Sequence, residues 1–352
     1  MDPIKTGIAS YGMSGLVFHA PLLHVNGGFE LTSIVERRYK GSQERYPNVK
    51  VLPSFDQLLQ DEELELIVVN TPDATHYRYC KMALEAGKHV VVEKPFTMHH
   101  HEAAELVEIA KKQGNLLSVF QNRRWDGDYL TVKRIIAEQL LGRLVSFESH
   151  FDRYRNFIQP NTWKEEKNAG AEIVYNLGAH MIDQAYDLFG MPHSVSANIG
   201  VQRTHGKVDD CYLIIMRYGH LDAHLKASYL VREEGPRYIL HGTEGSFLKW
   251  GIDPQEQHLK DGRYPDEAGW GEEPKKLWGK LNTDHKGLHF TGRVETISGN
   301  YQAYYDNIYQ AIRHQGDLIV KPEQSLDVMK IIEAAIESNK TGNSVHFAGN
   351  LL

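Results

Sequence analysis

Cysteine is scarce: the 352 residues hold only Cys80 and Cys211. Two thiols so placed cannot form a disulfide framework, and their separation matches no zinc-binding spacing. Long apolar runs are absent too; none approaches the roughly 20 residues of a membrane-spanning helix. The opening Met1-Asp2-Pro3-Ile4-Lys5 lacks the charged-then-apolar pattern of a secretory leader. A cytoplasmic location is therefore expected. A basic surplus is also missing. Lys plus Arg is 39 against 46 for Asp plus Glu, a formal charge of −7. Nucleic-acid binders carry the opposite imbalance, so neither nucleic acid nor membrane is an expected partner. What remains is ordinary globular material, 41% apolar and 24% charged, with 19 histidines as titratable candidates. The length suits about two domains.

The first third alternates apolar runs with helical patterns, as a parallel α/β sheet does. Strands are expected at Ile4–Ala9, Glu30–Val35, Leu64–Asn70, His89–Glu93 and Leu116–Phe120, with helices at Ser14–Val25, His76–Ala86 and Thr97–Lys112. The near-continuous apolar runs LELIVVN and HVVVE fit strands buried on both faces. After Asn122 the texture changes to alternation. Phe147, Ser149, Phe151 and Arg153 share one face of a strand, and Glu148, His150, Asp152 and Tyr154 the other. Ser194–Thr204, Cys211–Arg217, Ala223–Val231 and Arg237–Leu240 repeat that habit, which predicts one antiparallel sheet with an open face. Further helices are expected at Asn176–Phe189, Tyr301–Arg313 and Gln324–Asn339, a long loop at Asp253–Lys280, and a short final strand at Ser344–Phe347. The domains expected are 1–122 and 123–352, with the last helices free to pack back on the first.

The turn Ser10-Tyr11-Gly12-Met13-Ser14-Gly15 joins the first strand to the first helix. A dinucleotide fold needs small residues there, because the turn is tight and the backbone must approach a pyrophosphate over a helix N-terminus. Gly12 and Gly15 fit G-x-G-x-x-G, and Ser10 takes the first glycine's place. Glu36 stands about twenty residues beyond Gly15, where an acid accepts from the adenosine ribose and favours NAD. Arg37 and Arg38 follow at once, and a guanidinium there grips the 2′-phosphate of NADP. The cofactor expected is NAD or NADP, and these residues leave both open. Lys94 ends the buried strand before Pro95, and ligands of open α/β sheets sit at the carboxyl ends of strands.

Together, Gly12 and Gly15, Thr71-Pro72-Asp73-Ala74-Thr75-His76, Ala86-Gly87-Lys88-His89-Val90-Val91-Val92-Glu93-Lys94-Pro95 and Asn176-Leu177-Gly178-Ala179-His180-Met181-Ile182-Asp183 resemble the Gfo/Idh/MocA family of NAD(P)-dependent oxidoreductases. Gln121–Asp126, Phe147–Arg155 and the Trp-containing loop are similar to its inositol dehydrogenase branch, the NADP type in particular. The resemblance covers nearly the whole chain. It implies an N-terminal Rossmann dinucleotide-binding domain and a C-terminal α/β domain with an open, mostly antiparallel sheet. It implies hydride transfer between nicotinamide and a secondary alcohol of a cyclic polyol or sugar, with scyllo-inositol and scyllo-inosose as the substrate pair. Lys94 matches the family's catalytic lysine and His180 its histidine. Asn176 stands where the family usually carries aspartate, and Asp183 is the nearby acid. Ser10, Gly12, Ser14, Gly15, Glu36, Arg37, Arg38, Thr71, Pro72, His76, Glu93, Lys94 and Asn122 are the expected cofactor residues. Lys94, Arg124, Arg153, Tyr154, Trp163, Asn176 and His180 are the expected substrate residues.

Two alternatives share the fold: a dinucleotide and sugar sensor without turnover, and an NAD-dependent glycosidase. The run His99-His100-His101-Glu102 is expected to be a solvated first turn rather than a metal site, since adjacent helical residues point in different directions. Tyr301, Tyr304, Tyr305 and Tyr309 have the spacing of a packed helix face. The open sheet face predicts a homodimer or homotetramer.

Overall fold

The computed structural model describes residues 2–37, 41–160, 165 and 172–347. The chain divides into two compact units. The first comprises Met1–Trp125, Pro254–Trp270 and Asn300–Leu326; the second comprises Asp126–Asp253, Gly271–Gly299 and Asp327–Leu352.

The first unit is built on β1 (Ile4–Ile8), β2 (Phe29–Val35), β3 (Lys50–Leu52), β4 (Leu66–Val69), β5 (His89–Val92) and β6 (Leu117–Val119). All pair in parallel, in the order β3-β2-β1-β4-β5-β6. Helices α1 (Ala20–Val25), α2 (Ser42–Arg45), α3 (Phe55–Leu59), α4 (His76–Glu85) and α5 (His100–Gln113) connect them. Strands β4 and the end of β5 are buried throughout, as their unbroken apolar runs require. Gly87 and Gly114 end the two longer helices at φ +75 and +69, a conformation open to glycine at little cost.

The helix expected from Ser14 is not uniform. Gly15–His19 is a wide turn in which the Ala20 N–H reaches back to the Gly15 oxygen, and α1 begins only after it. Pro21 supplies the reason: it has no N–H and its ring excludes the carbonyl four residues back.

The second unit begins with α6 (Gly127–Ala137) and contains α7 (Ala179–Phe189). Its strands are β7 (Leu144–His150), β8 (Ser194–Gly200), β9 (Cys211–Arg217), β10 (Asp222–Ser228), β11 (Tyr238–Gly242), β12 (Gly245–Lys249), β13 (Gly279–His285), β14 (Leu288–Val294) and β15 (Val345–His346). They form one nine-stranded sheet in the order β14-β13-β12-β11-β7-β10-β9-β8-β15. The sheet is mostly antiparallel, but β7 and β10 pair in parallel, so it is mixed. Helices cover one face. Tyr238 and Tyr212 of the sheet donate to Gln184 Oε1 and Met181 Sδ of α7, and Tyr129 of α6 donates to the Gln184 carbonyl. The alternation in β7 and just beyond it is as expected: Phe147, Ser149 and Phe151 are buried.

Asp253–Lys280, expected as a loop, instead carries α8 (Gln255–Lys260), a short turn at Lys275–Leu277 and the start of β13. Strand β14 was outside the expectation. Its hairpin turns at Lys286-Gly287, both at positive φ, +50 and +78. That is the geometry of a two-residue hairpin turn without the usual Asn-Gly signal. Helices α9 (Gln302–His314) and α10 (Pro322–Thr341) follow. The α9 tyrosines behave as packing: Tyr304 and Tyr305 are fully buried beside Tyr301, against Phe18, Phe29, Phe120 and Trp125 in the first unit's core.

Candidate active site

The first unit gathers its polar residues at the carboxyl edge of its sheet. The strand order reverses between β1 and β4, and such a switch point opens a crevice for a ligand. After β1, the Ser10 hydroxyl accepts the Gly12 N–H at 3.2 Å. A Cβ on Gly15 would stand 2.2 Å from the Ser10 carbonyl oxygen, so only glycine fits. At Gly12 the nearest atom to such a Cβ is the Ser10 hydroxyl at 3.4 Å. That cradle is open, as close approach of a pyrophosphate requires. The turn is fastened from β4: Asn70 Nδ2 donates to the Ser10 oxygen at 2.7 Å and to the Ser14 hydroxyl at 3.3 Å. The buried Asn70 Oδ1 has no protein donor, a polar atom suited to a ligand or solvent donor. Asn70 was not among the expected residues; its signal was a lone amide ending an apolar strand.

Glu36 follows β2. Its carboxylate accepts the Gly41 N–H at 3.0 Å, the Ser42 N–H at 2.9 Å and the Ser42 hydroxyl. Arg37 is exposed beside it; Arg38 lies outside the described residues. Thr71, Pro72 and the turn Asp73–Thr75 follow β4, where the Thr75 hydroxyl bonds Thr71 Oγ1 at 2.7 Å and the Pro72 oxygen at 2.6 Å. His76 opens α4 and is fully buried. Its Nε2 is 2.9 Å from the Thr71 oxygen and its Nδ1 2.8 Å from the Pro95 oxygen. It thus ties the β4 turn to the segment after β5.

Lys94 sits at the end of β5, before a cis bond to Pro95. Burial pushes its ammonium pKa down, against the pull of the Glu93 and Asp73 carboxylates; the Arg123 guanidinium adds to the fall and Glu256 opposes it. A lysine so placed is a poised hydrogen-bond donor and proton carrier. Asp73, quoted in the motif but not among the expected site residues, has its own carboxyl pushed up by burial, opposed by the charges of His76 and Lys94. The buried turn Asn122–Trp125 follows β6. Arg123 pairs with Glu256 of α8 at 2.5 Å. Arg124, an expected substrate residue, has its guanidinium on Gln324 Oε1 at 3.1 Å and the Ile319 oxygen at 3.4 Å.

The second unit carries the remaining candidates. Val174–Gly178 is another wide turn, closed by the Ala179 N–H on the Val174 oxygen, and it leads into α7. Asn176 lies exposed in that turn, while His180 and Asp183 are buried in α7. Arg153 extends the line of β7: its N–H bonds the Ser228 oxygen and its oxygen accepts the Val231 N–H. Its guanidinium lies 4.9 Å from the Phe151 ring, on the helix-covered face. Tyr154 is exposed on the other side, with Arg232 stacked 4.1 Å over its ring. Trp163 lies outside the described residues.

Comparison with known proteins covers nearly the whole chain. Residues 4–121 match the family model described as oxidoreductase family, NAD-binding Rossmann fold, and residues 133–347 match its C-terminal alpha/beta domain. The scyllo-inositol 2-dehydrogenase (NADP(+)) of Bacillus subtilis is 38% identical over 98% of this chain and 96% of its own. A solved structure of an oxidoreductase from Bacteroides fragilis is 48% identical, covering 98% of this chain and 100% of that one, with a TM-score of 0.91. An oxidoreductase structure from Bacillus subtilis reaches a TM-score of 0.95 at 38% identity over 98% of this chain and 99% of that one. The chain belongs to the Gfo/Idh/MocA oxidoreductase family and is an NAD(P)-dependent dehydrogenase.

Proposed function

We propose that the protein interconverts a ring secondary alcohol and its ketone in a cyclic polyol, with scyllo-inositol and scyllo-inosose as the pair and NADP as the coenzyme. The observation that carries this is Lys94: a lysine at the carboxyl end of β5, flanked by Glu93, Asp73 and Arg123, in the unit that also holds the Gly12 cradle. The likeness to the named Bacillus subtilis dehydrogenase supports the substrate class. For the coenzyme, the Glu36 carboxylate is already engaged by Gly41 and Ser42, and Arg37 stands exposed next to it. A free guanidinium suits a 2′-phosphate better than an occupied carboxylate suits a ribose hydroxyl.

A bound nicotinamide would supply the hydride acceptor for the alcohol carbon. Lys94 Nζ donates to the substrate oxygen and stabilises the negative charge that develops on it as the hydroxyl proton leaves in oxidation, or as hydride arrives in reduction. His180 takes the hydroxyl proton in oxidation and returns it in reduction. Asn176, one turn before His180, is a neutral amide where the family usually has a carboxylate. A neutral hydrogen bond is worth about 1 kcal/mol against roughly 1.5–3 for a charge-assisted one. We also propose a cytoplasmic homodimer or homotetramer, a reading supported by the free thiols of Cys80 and Cys211 and by apolar Leu213, Ile215, Ile239 and Leu248 on the sheet face opposite the helices.

Initial rates with scyllo-inositol, myo-inositol and glucose, each with NAD and NADP, test the assignment. The expected result is reduced-cofactor formation strongest with scyllo-inositol and NADP, lost by a factor of about 10³ or more in Lys94→Met. Absence of turnover in every pairing, with the cofactor still bound, would remove the dehydrogenase of polyols and favour a sensor.

A further inference from the structure

Behind the lysine end of β5, the first unit buries a line of polar groups that the proposed reaction does not use. His19, last residue of the wide turn after Gly15, is fully buried. Its Nδ1 lies 2.7 Å from the Tyr305 hydroxyl of α9, and its Nε2 lies 3.1 Å from Glu93 Oε1. The other oxygen of that carboxylate accepts the backbone N–H of Lys94 at 3.1 Å. Phe120 holds the imidazole from the side, with ring centroids 4.4 Å apart. One ring therefore joins the helical segment of the glycine turn, a tyrosine of α9 and the residue before Lys94.

We propose that His19 is a positioning residue for Lys94: Tyr305 donates its hydroxyl to Nδ1, the imidazole donates Nε2–H to Glu93, and Glu93 is thereby kept as the lysine's fixed counter-charge. The proposal rests on the reading of Lys94 as the group that meets the substrate oxygen. The donor directions follow from the carboxylate: Glu93, held below the usual range, can only accept, so Nε2 carries the hydrogen. Burial, with Tyr304 and Glu93 beside it, pushes Tyr305 well above the usual tyrosine range, so its oxygen keeps the hydrogen. With the ring hydrogen on Nε2, the neutral ring leaves Nδ1 to accept from the Tyr305 hydroxyl, as a partner on one nitrogen sets the tautomer at the other.

The consequence for Glu93 is electrostatic. Burial alone pushes its carboxyl up; the His19 contact and the charges of Lys94 and His76 more than offset this and hold it below the usual range. Lys94 in turn faces Glu93 on its own segment, Asp73 from the turn after β4, Arg123 from the turn after β6 and Glu256 from α8. Removing His19 leaves burial of the Glu93 carboxylate less compensated. Glu93 then takes up a proton more readily, its negative charge at Lys94 fades, and Lys94 titrates at lower pH.

Trace acetylation with acetic anhydride across pH, with the Lys94 peptide read by mass spectrometry against exposed Lys112, follows that titration without any substrate. In His19→Leu the Lys94 midpoint is expected to fall by about half a unit or more, and in Glu93→Gln to fall likewise. His19→Gln, whose carboxamide N–H replaces Nε2–H, should stay within about 0.2 units of the wild type. An unmoved midpoint in a folded His19→Leu protein overturns the proposal. Should that variant fail to fold, nitrogen-15 spectra of the wild-type histidines decide it: hydrogen on Nε2 of His19 supports the tautomer, and hydrogen on Nδ1 alone refutes it. A protein inert to every polyol but with a shifted midpoint would remove the substrate assignment and leave the positioning role standing.

Discussion

Gly12 and Gly15 belong to one motif, yet a methyl group would meet different things at each. At Gly15 it would press into a main-chain oxygen at 2.2 Å; at Gly12 it would meet only a hydroxyl at 3.4 Å. Gly15→Ala is therefore expected to destabilise the free protein by about 1–3 kcal/mol, as overpacking does. Gly12→Ala should leave the melting temperature nearly unchanged but weaken cofactor binding about tenfold or more, because its methyl would occupy the approach proposed for the pyrophosphate. Thermal melts together with fluorescence titration of NADPH separate the two, and equal effects on both would contradict the cradle. Motif spacing made these glycines and Lys94 legible in the sequence. Asn70 and His19 were not, since a lone amide and a lone histidine carry no spacing, and their partners come from β1, β5 and α9. His76 was legible as part of a motif, but its two main-chain contacts were visible only once the turn after β4 and Pro95 were placed.

At the scale of elements, the short helix α8 shows how a segment without strong pattern is held. Glu256 accepts from Arg123 at 2.5 Å and from Lys260 at 2.5 Å. Burial pushes its carboxyl up, but these cations prevail and bring it down to about 2. A lowered carboxyl stabilises the folded state above its unfolded pKa near 4.5, and that contribution is lost as pH falls toward 2. The shift corresponds to about 3 kcal/mol as an upper figure. Glu256→Gln should therefore lower stability at pH 7 and flatten the acid limb between pH 5 and pH 2, measured by denaturant unfolding across that range. An unchanged limb would show the pair to be energetically silent. The elements with continuous apolar runs or clear alternation were legible, among them β4, β5 and β9. The wide turns at Gly15–His19 and Val174–Gly178 were not, because a helix pattern does not report which carbonyl each N–H selects. Strand β14 is largely exposed, so it carries little of the burial pattern that reveals a strand.

For the whole molecule, the chain reads as two domains in sequence, but the compact units interleave. Residues 254–270 and 300–326 return to the first unit. Tyr304 and Tyr305 account for part of this, their rings packed on Phe120 and Phe29 of the first sheet. The second sheet leaves Leu213 exposed on the face away from the helices, with Ile215 and Leu248 partly so. A mass above the monomer is expected in light scattering, and Leu213→Arg is expected to reduce it; a monomeric wild-type protein would refute self-association. The sequence by itself determined the family and the parallel and alternating sheet types, and it supplied the candidates proposed for cofactor and substrate, because periodicity and motif spacing are local properties of a chain. Only the tertiary structure decided that β7 and β10 run in parallel, that α8 and α9 close the first unit, and that His19 stands behind Glu93, because each depends on contacts between residues far apart in sequence.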